Sequence, residues 1–224
     1  MNLTDYRAVL RHAAFPLFVF ALLEAAVFTY CVERRISFGS SVGMLGVFVG
    51  FFLMRGSLRA AAFAHRGALF ILGIALPILV SMPWIVSLDL MRAVCRWRPL
   101  STFVIGGYST VLLALCWWTA RRLNSESVRS ARRAIGLTPL DRRYPFGIGA
   151  MIGLTAATVV GLTLNGRAAA EAERQAAERY GAEYRYRTIG LAGFHFIDDS
   201  VVFASVAMWN ERELKVIEGP LNLD

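Results

Sequence analysis

Lysine is almost absent from this sequence, which carries 23 arginines but only one lysine, Lys215. Charged residues of all kinds make up only 18% of the chain, while 56% of the residues are hydrophobic. In a soluble domain, about a quarter of the residues are usually charged. Because the apolar residues are gathered into long runs, which are typical of a chain that has lipid as its solvent, the composition excludes an ordinary water-soluble domain.

Residues that would carry recognisable chemistry are also sparse. The three histidines, His12, His65 and His195, lie in separate segments, and no spacing of cysteine and histidine matches a zinc site. No glycine-rich phosphate loop is present, and no Ser/His/Asp or Cys/His constellation can be assembled. The sequence therefore predicts neither a cofactor nor a metal, favours a protein without catalytic activity, and carries no motif that links it to a known family.

Five apolar runs each have about the 20 residues that cross a hydrocarbon core. They predict an all-α transmembrane domain, residues 1–165, in which five helices cover 13–32, 36–54, 67–88, 102–120 and 146–165. Serines at the start of the second run leave an alternative of four spans with a re-entrant second segment. The first run is too long for the apolar part of a cleavable signal peptide, so we expect it to stay in place.

Small residues recur at helical spacing within the second and fifth runs. Residues four apart lie on one face of a helix, and small residues on one face allow helix backbones to approach closely in lipid. The spacing predicts helix packing within the bundle, with dimerisation through the same faces as the alternative. The glycines concerned are Gly39, Gly43, Gly46, Gly50, Gly149, Gly153 and Gly161.

The distribution of arginine predicts the orientation in the membrane, because basic loops stay in the cytoplasm. With the N-terminus inside, and counting the tail only as far as Arg179, twelve arginines fall on the inner side and eight on the outer side. This predicts a bacterial cytoplasmic membrane protein with an extracytoplasmic C-terminal module, and it disfavours nucleic acid as a partner. The inner loop before the fifth run contributes Arg121, Arg122, Arg129, Arg132, Arg133, Arg142 and Arg143.

The same inner loop has the pattern of a short helix. Val128, Ala131 and Ile135 fall at helical spacing, and Gly136 and Pro139 would end such a helix. The pattern predicts a basic amphipathic helix on the anionic inner leaflet. The alternative is a solvated linker whose charges only set the topology.

After the fifth run the sequence predicts a small α+β module, residues 166–224. Residues 167–180 are rich in alanine, glutamate and arginine and predict a helical stalk. Residues 183–218 predict an antiparallel meander, with turns at 198–200 and 210–211. In its first strand, we expect Tyr184 and Tyr186 to be covered and Arg185 and Arg187 to face water, because strand residues alternate sides.

Glu24 is the acidic residue that lies within the first apolar run. An intramembrane carboxylate is costly, so we expect it to face other helices, with Tyr108 and Ser109 of the fourth run as hydrogen-bond partners. One hypothesis is ion or proton coupling through this carboxylate. The other is a structural acid that joins two helices. At the end of the third run, Asp89 and Arg92 are expected to form an interfacial pair.

These features lead to two main hypotheses for function. The first is a non-catalytic anchor whose extracytoplasmic module binds another envelope protein or a second copy of the chain. It rests on the stalk, the aromatic-rich module and the missing catalytic groups. The alternative is a small transporter, or an accessory subunit of one, that uses Glu24. A membrane-embedded enzyme is the third.

The orientation can be tested with reporters fused after Asp224. Alkaline phosphatase, which is active outside the cytoplasm, should give a strong signal, and a cytoplasmic reporter at the same position should be silent. The expectation follows from the arginine-rich inner loop. The reverse pattern, with a silent phosphatase, would show that the orientation is inverted.

Overall fold

The computed structural model describes residues 4–34, 42–137, 141–195 and 200–221. Contacts divide the chain into two compact units, Met1–Leu76 with Phe103–Gly153 and Pro77–Thr102 with Leu154–Asp224. The described part is mostly helical and ends in a small sheet. The elements are α1 (Thr4–Glu33), α2 (Val42–Met54), α3 (Leu58–Ile85), α4 (Leu88–Trp97), α5 (Pro99–Leu123), α6 (Glu126–Ala134), α7 (Arg143–Leu164), α8 (Arg167–Tyr180), β1 (Arg185–His195), β2 (Ser200–Trp209) and β3 (Leu214–Leu221).

Four of the described helices, α1, α3, α5 and α7, are long and apolar enough to cross a membrane. The described residues give four such helices and not the predicted five, because the described part of the second run is α2, with 13 residues. At about 1.5 Å per residue, such a helix is about 20 Å long, shorter than a hydrocarbon core of about 30 Å. Residues 36–41 of that run, which include Gly39, lie outside the described residues.

All four long helices begin earlier than their apolar runs, and two of them begin much earlier. α1 begins at Thr4 and α3 at Leu58, nine residues before the predicted starts at 13 and 67. The added segment of α3, residues 58–66, is rich in alanine and arginine, which favour helix although they lower the local hydropathy. A hydropathy run therefore marks the apolar part of a helix and not its ends.

The helices α1 and α2 form a closely packed pair in the first unit. Gly43, Gly46 and Gly50 of α2 face α1, and a β-carbon built at Gly46 would lie 3.6 Å from the carbonyl oxygen of Leu17. A β-carbon at Gly50 would lie 3.1 Å from the ring of Phe18. Glycine thus lets the two backbones approach without an intervening side chain.

The predicted short basic helix is present as α6, but protein covers its apolar face. Val128 and Ala131 are buried in a cluster with Leu10 and Leu123, so α6 packs against α1. Ile135 follows the end of α6 and is 61% exposed. The surface expected to lie on the leaflet is therefore occupied by a protein contact.

The backbones of α3 and α7 also touch within the first unit. A β-carbon added at Gly149 would overlap the carbonyl oxygen of Phe70, and one added at Gly153 would overlap that of Ile74. Gly73 supplies the facing small residue on α3. Because backbone atoms cannot move aside as a flexible side chain can, these glycines fix how the two helices cross.

The second unit contains a three-layer module in which the sheet lies between α4 and α8. The strand order β1-β2-β3, with both pairs antiparallel, confirms the predicted meander. Ala204 and Val206 of β2 pack with α8, whereas Ala207 and Trp209 pack with α4. The second half of β2 is thus buried on both faces, as its apolar sequence favours. Of the turn predicted at 198–200, residues 198 and 199 lie outside the described residues.

The helix α4 was not predicted, because its residues were assigned to the end of the third run and the loop after it. Ser87 caps the helix, since its Oγ accepts a hydrogen bond of 3.4 Å from the Leu90 backbone N–H. Leu90 and Ala93 are buried against the sheet. A capping serine before apolar residues at helical spacing was the signal available in the sequence. The expected pair of Asp89 and Arg92 is present at 3.8 Å.

The predicted alternation of covered and exposed residues before and within β1 holds only in part. Tyr184 and Tyr186 are half-buried, and the Arg185 side chain is 69% exposed. The Arg187 side chain was expected to face water but is only 19% exposed. It is held against the protein because its guanidinium donates a hydrogen bond to Oδ1 of Asn165.

The crossing of α3 and α7 gives a stability prediction with a control on the same helix. Gly149→Ala should lower the free energy of unfolding by about 1–3 kcal/mol, because its β-carbon meets the α3 backbone. Gly147→Ala should be neutral or slightly stabilising, since nothing lies within 4 Å of a β-carbon there. Thermal unfolding of the purified full chain in detergent measures both. Equal melting temperatures for the two variants would contradict the close crossing.

Candidate functional site

Glu24, the predicted intramembrane acid, is buried on α1 with 7% of its surface exposed. Its carboxylate lies directly over Gly43 of α2, so a β-carbon at that position would overlap the Oε2 oxygen of Glu24. The same β-carbon would lie 3.2 Å from the Cα atom of Ala21. Ala21 and Glu24 are three residues apart and share a helix face. The space for the carboxylate therefore exists because α2 has glycine at this point.

The two residues predicted to bond with Glu24 are placed differently. The Ser109 hydroxyl donates a hydrogen bond of 2.9 Å to the Ile105 carbonyl oxygen of its own helix. Tyr108 is buried and stacks on Phe20, with 5.4 Å between the ring centroids. Phe20 precedes Glu24 by one turn of α1. The structure thus brings Tyr108 near that turn and directs Ser109 back onto α5.

The apolar cavity that lies in the same unit does not include Glu24 in its lining. This cavity has a volume of about 80 Å³, and its lining includes Leu17, Phe20 and Gly46. Among the residues that the structure describes, no group of three or more His, Cys, Asp or Glu side chains could hold a metal ion.

A set of buried polar residues near the start of α3 and the end of α5 was missed by sequence reasoning. His65 is completely buried, and the charges of Arg132 and Arg142 act on it. Arg132, one of the arginines expected on the leaflet, turns inward and donates a hydrogen bond of 2.7 Å to the Leu58 carbonyl oxygen. Its burial lowers the pKa of the Arg132 guanidinium. The other loop arginines are exposed or half-exposed: Arg121, Arg122, Arg129, Arg133, Arg142 and Arg143.

An open groove of about 290 Å³ lies between α8 and β3 in the second unit. Its floor is apolar and is formed by Ala172, Ala176, Ala204, Val206 and Ile217. Its rim carries polar side chains, those of Gln175, Arg179, Tyr180 and Glu218. An apolar floor within a polar rim is the usual construction of a surface that binds another protein.

The groove is open because α8 is held toward β1, at the opposite edge of the sheet from β3. The Thr188 hydroxyl donates a hydrogen bond of 2.9 Å to the Ala169 carbonyl oxygen, and the Thr188 N–H donates one of 2.9 Å to the Glu173 carboxylate. Both bonds tie α8 to β1. Ala172 and Ala176 face the sheet, and their small side chains leave space above β3 unfilled.

The outer face of α8 is held in helical form by a charged triplet. Arg174 donates hydrogen bonds to both Glu171 and Glu178, which lie three and four residues away. The bond from Arg174, helped by one from Gln175, lowers the pKa of Glu171 to about 2. Pairs at this spacing stabilise a helix that has few apolar contacts of its own. They keep α8, which forms one wall of the groove, in helical form.

The outer edge of β3 is the second feature of this site. Within the described sheet, β3 pairs only with β2, so its other backbone groups are available to a further strand. The Lys215 ammonium lies 2.7 Å from the Glu213 carboxylate, and the Tyr184 hydroxyl donates a hydrogen bond of 2.7 Å to the same carboxylate. Both interactions lower the pKa of Glu213 and fix the start of the strand. Pro220 has no N–H to donate, so any added strand would end near it.

Family models, curated proteins and solved structures give no match to this chain. A function has therefore to be argued from the arrangement of its own residues. The first unit offers the carboxylate of Glu24, and the second offers the groove beside the open edge of β3.

The contact between Glu24 and Gly43 predicts a coupling between the two positions. Gly43→Ala should lower the free energy of unfolding by about 1–3 kcal/mol, because the new methyl displaces the carboxylate. Gly46→Ala is the matched control and should cost little, since its β-carbon would make ordinary contacts at 3.6 Å. Unfolding of the full chain in detergent measures both.

A double-mutant cycle isolates the pair. In a Glu24→Ala background, Gly43→Ala should cost much less than in the natural chain, because the overlapping carboxylate is gone. An unchanged cost in that background would contradict the contact.

Proposed function

We propose that this chain is an integral protein of the bacterial cytoplasmic membrane that anchors a C-terminal module outside the cytoplasm. The support for membrane insertion is the surface of the long helices. Large apolar side chains on them are widely exposed, and a water-facing surface rarely carries so many. Examples are Phe15 (70%), Leu22 (73%), Val80 (80%), Phe103 (78%) and Met151 (71%).

We propose further that the module binds another envelope protein, and that the groove beside β3 is the binding surface. The open edge of β3 is the observation that carries this proposal. An extended segment of the partner would add a strand at this edge, as in other complexes formed by strand addition. Every second side chain of that segment would then point into the groove, where Val206 and Ile217 form an apolar floor.

The rim of the groove carries charges of both signs, which suits a polypeptide ligand. Arg179 lies on the α8 side and Glu218 on the β3 side, so acidic and basic side chains of a bound segment each have a partner. A second copy of the chain is one possible source of that segment. The proposed role needs no catalytic group or cofactor.

Transport through Glu24 has less support. Its carboxylate packs over Gly43 and does not line the apolar cavity of the same unit. A coupling site usually needs several polar groups around a water-accessible acid. Of the two predicted partners of Glu24, Ser109 bonds to the carbonyl oxygen of Ile105 within α5, and the ring of Tyr108 stacks on Phe20.

The binding surface can be tested with a photoreactive phenylalanine analogue at Gly219, which lines the groove. Nothing lies within 4 Å of a β-carbon at this position, so a large side chain should fit. Ala192, an exposed residue of β1, provides the control position. After illumination of native membranes, an adduct should form from position 219 and not from position 192.

The mass of the adduct identifies the source of the bound segment. An adduct of twice the chain mass would indicate a second copy, and peptide mapping should place the crosslink within one segment of the partner. Equal adducts from both positions, or none from position 219, would contradict a binding groove beside β3.

A further inference from the structure

A second groove lies in the first unit, between the beginning of α1 and the end of α5. It has a volume of about 720 Å³ and adjoins a smaller cavity of about 390 Å³ that shares Trp118 and Arg122 with it. The larger groove is lined by two kinds of side chain, basic and apolar. They include Arg11, His12, Phe15, Pro16, Trp118 and Arg122.

The polarity of the groove changes along its length. On α1, Arg11 precedes Phe15 by one turn, and on α5, Trp118 precedes Arg122 by one turn. The two helices are antiparallel, since the start of α1 packs with the end of α5 and the end of α1 with its beginning. Both arginines therefore lie at one end of the groove and both aromatic rings about 6 Å further along the helices.

The basic end of the groove has charge that the protein itself does not neutralise. Within the described part of the chain, Arg11, Arg121 and Arg122 form no ion pair. No acidic side chain lines either cavity. The Arg122 guanidinium lies 5.5 Å from the ring centroid of Trp118. Guanidinium groups arranged in this way are suited to a phosphate.

We propose that this groove binds an anionic phospholipid. Arg11 and Arg122 would hold the phosphate, and the acyl chains would run over Phe15 and along the ring of Trp118. Tryptophan commonly lies at this level of a bilayer, between the headgroups and the hydrocarbon. A free phosphate would leave the apolar half of the groove uncovered, so the lipid fits the whole surface better. The proposal depends on the membrane insertion proposed above, but not on the module or its partner.

Native mass spectrometry of the full chain in a non-ionic detergent tests the site. Titration with phosphatidylglycerol and with phosphatidylcholine should show clear preference for the anionic lipid. Arg11→Gln combined with Arg122→Gln should weaken the binding of phosphatidylglycerol about tenfold, as expected for the loss of charge-assisted hydrogen bonds. Arg59→Gln combined with Arg133→Gln removes the same charge at exposed positions outside the groove and should bind as the natural chain does.

Three outcomes would overturn the proposal. Equal binding of the two lipids by the natural chain would exclude recognition of an anion. Equal weakening by both double variants would show that diffuse charge, and not the groove, attracts the lipid. Displacement of phosphatidylglycerol by inorganic phosphate at equal concentration would show that the groove binds free phosphate and does not use the acyl chains.

Further variants keep the test independent of folding and of the proposed binding role. If the double glutamine variant does not fold, Arg11→Lys with Arg122→Lys keeps the charge but loses the planar guanidinium, and should weaken the preference by a smaller factor. The adduct from position 219 should be unchanged in these variants. Loss of lipid preference with an intact adduct, or the reverse, tells the two proposals apart.

Discussion

Close approach of helix backbones at glycine is the constraint on which the first unit depends. Apolar side chains that face lipid gain nothing by turning inward, so helices in a membrane associate mainly through tight packing. Here Gly149 and Gly153 of α7 lie against the α3 backbone, and Gly43 of α2 lies against the Glu24 side chain and the Ala21 backbone of α1. The buried position of Glu24 is a consequence of the same constraint, because only glycine at position 43 leaves room for its carboxylate.

The sequence predicts the long helices and the meander well because each is encoded locally. An apolar run of about 20 residues, or a regular alternation of apolar and polar residues, can be recognised without knowing what the segment contacts. The errors fall where local patterns mislead. α3 extends back to Leu58 through residues of low hydropathy. α4 is short and amphipathic, so its main signal in the sequence is the capping residue Ser87.

The candidate site was less predictable, since contacts between elements decide it. Burial of Glu24 follows from its place in an apolar run, but its contact with Gly43 depends on the register of α1 against α2. Arg187 was expected in water by strand alternation and is instead held by Asn165. The groove above β3 exists because Thr188 ties α8 toward β1, a bond that no spacing in the sequence indicates.

The arginines near the inner loop show how one set of charges serves several physical roles. A count of charges for topology treats these arginines alike. Within the protein, however, Arg132 donates a hydrogen bond to the Leu58 carbonyl oxygen, and Arg129 pairs with Glu126 at 2.9 Å. Arg122 is exposed, and within the described part of the chain its guanidinium forms no ion pair. An unpaired charge is tolerated at a surface but is costly when buried, so unpaired arginines stay where an external anion can reach them. In the proposed orientation, the arginines on the inner side would also meet an anionic headgroup, so one bias in charge would serve both topology and recognition.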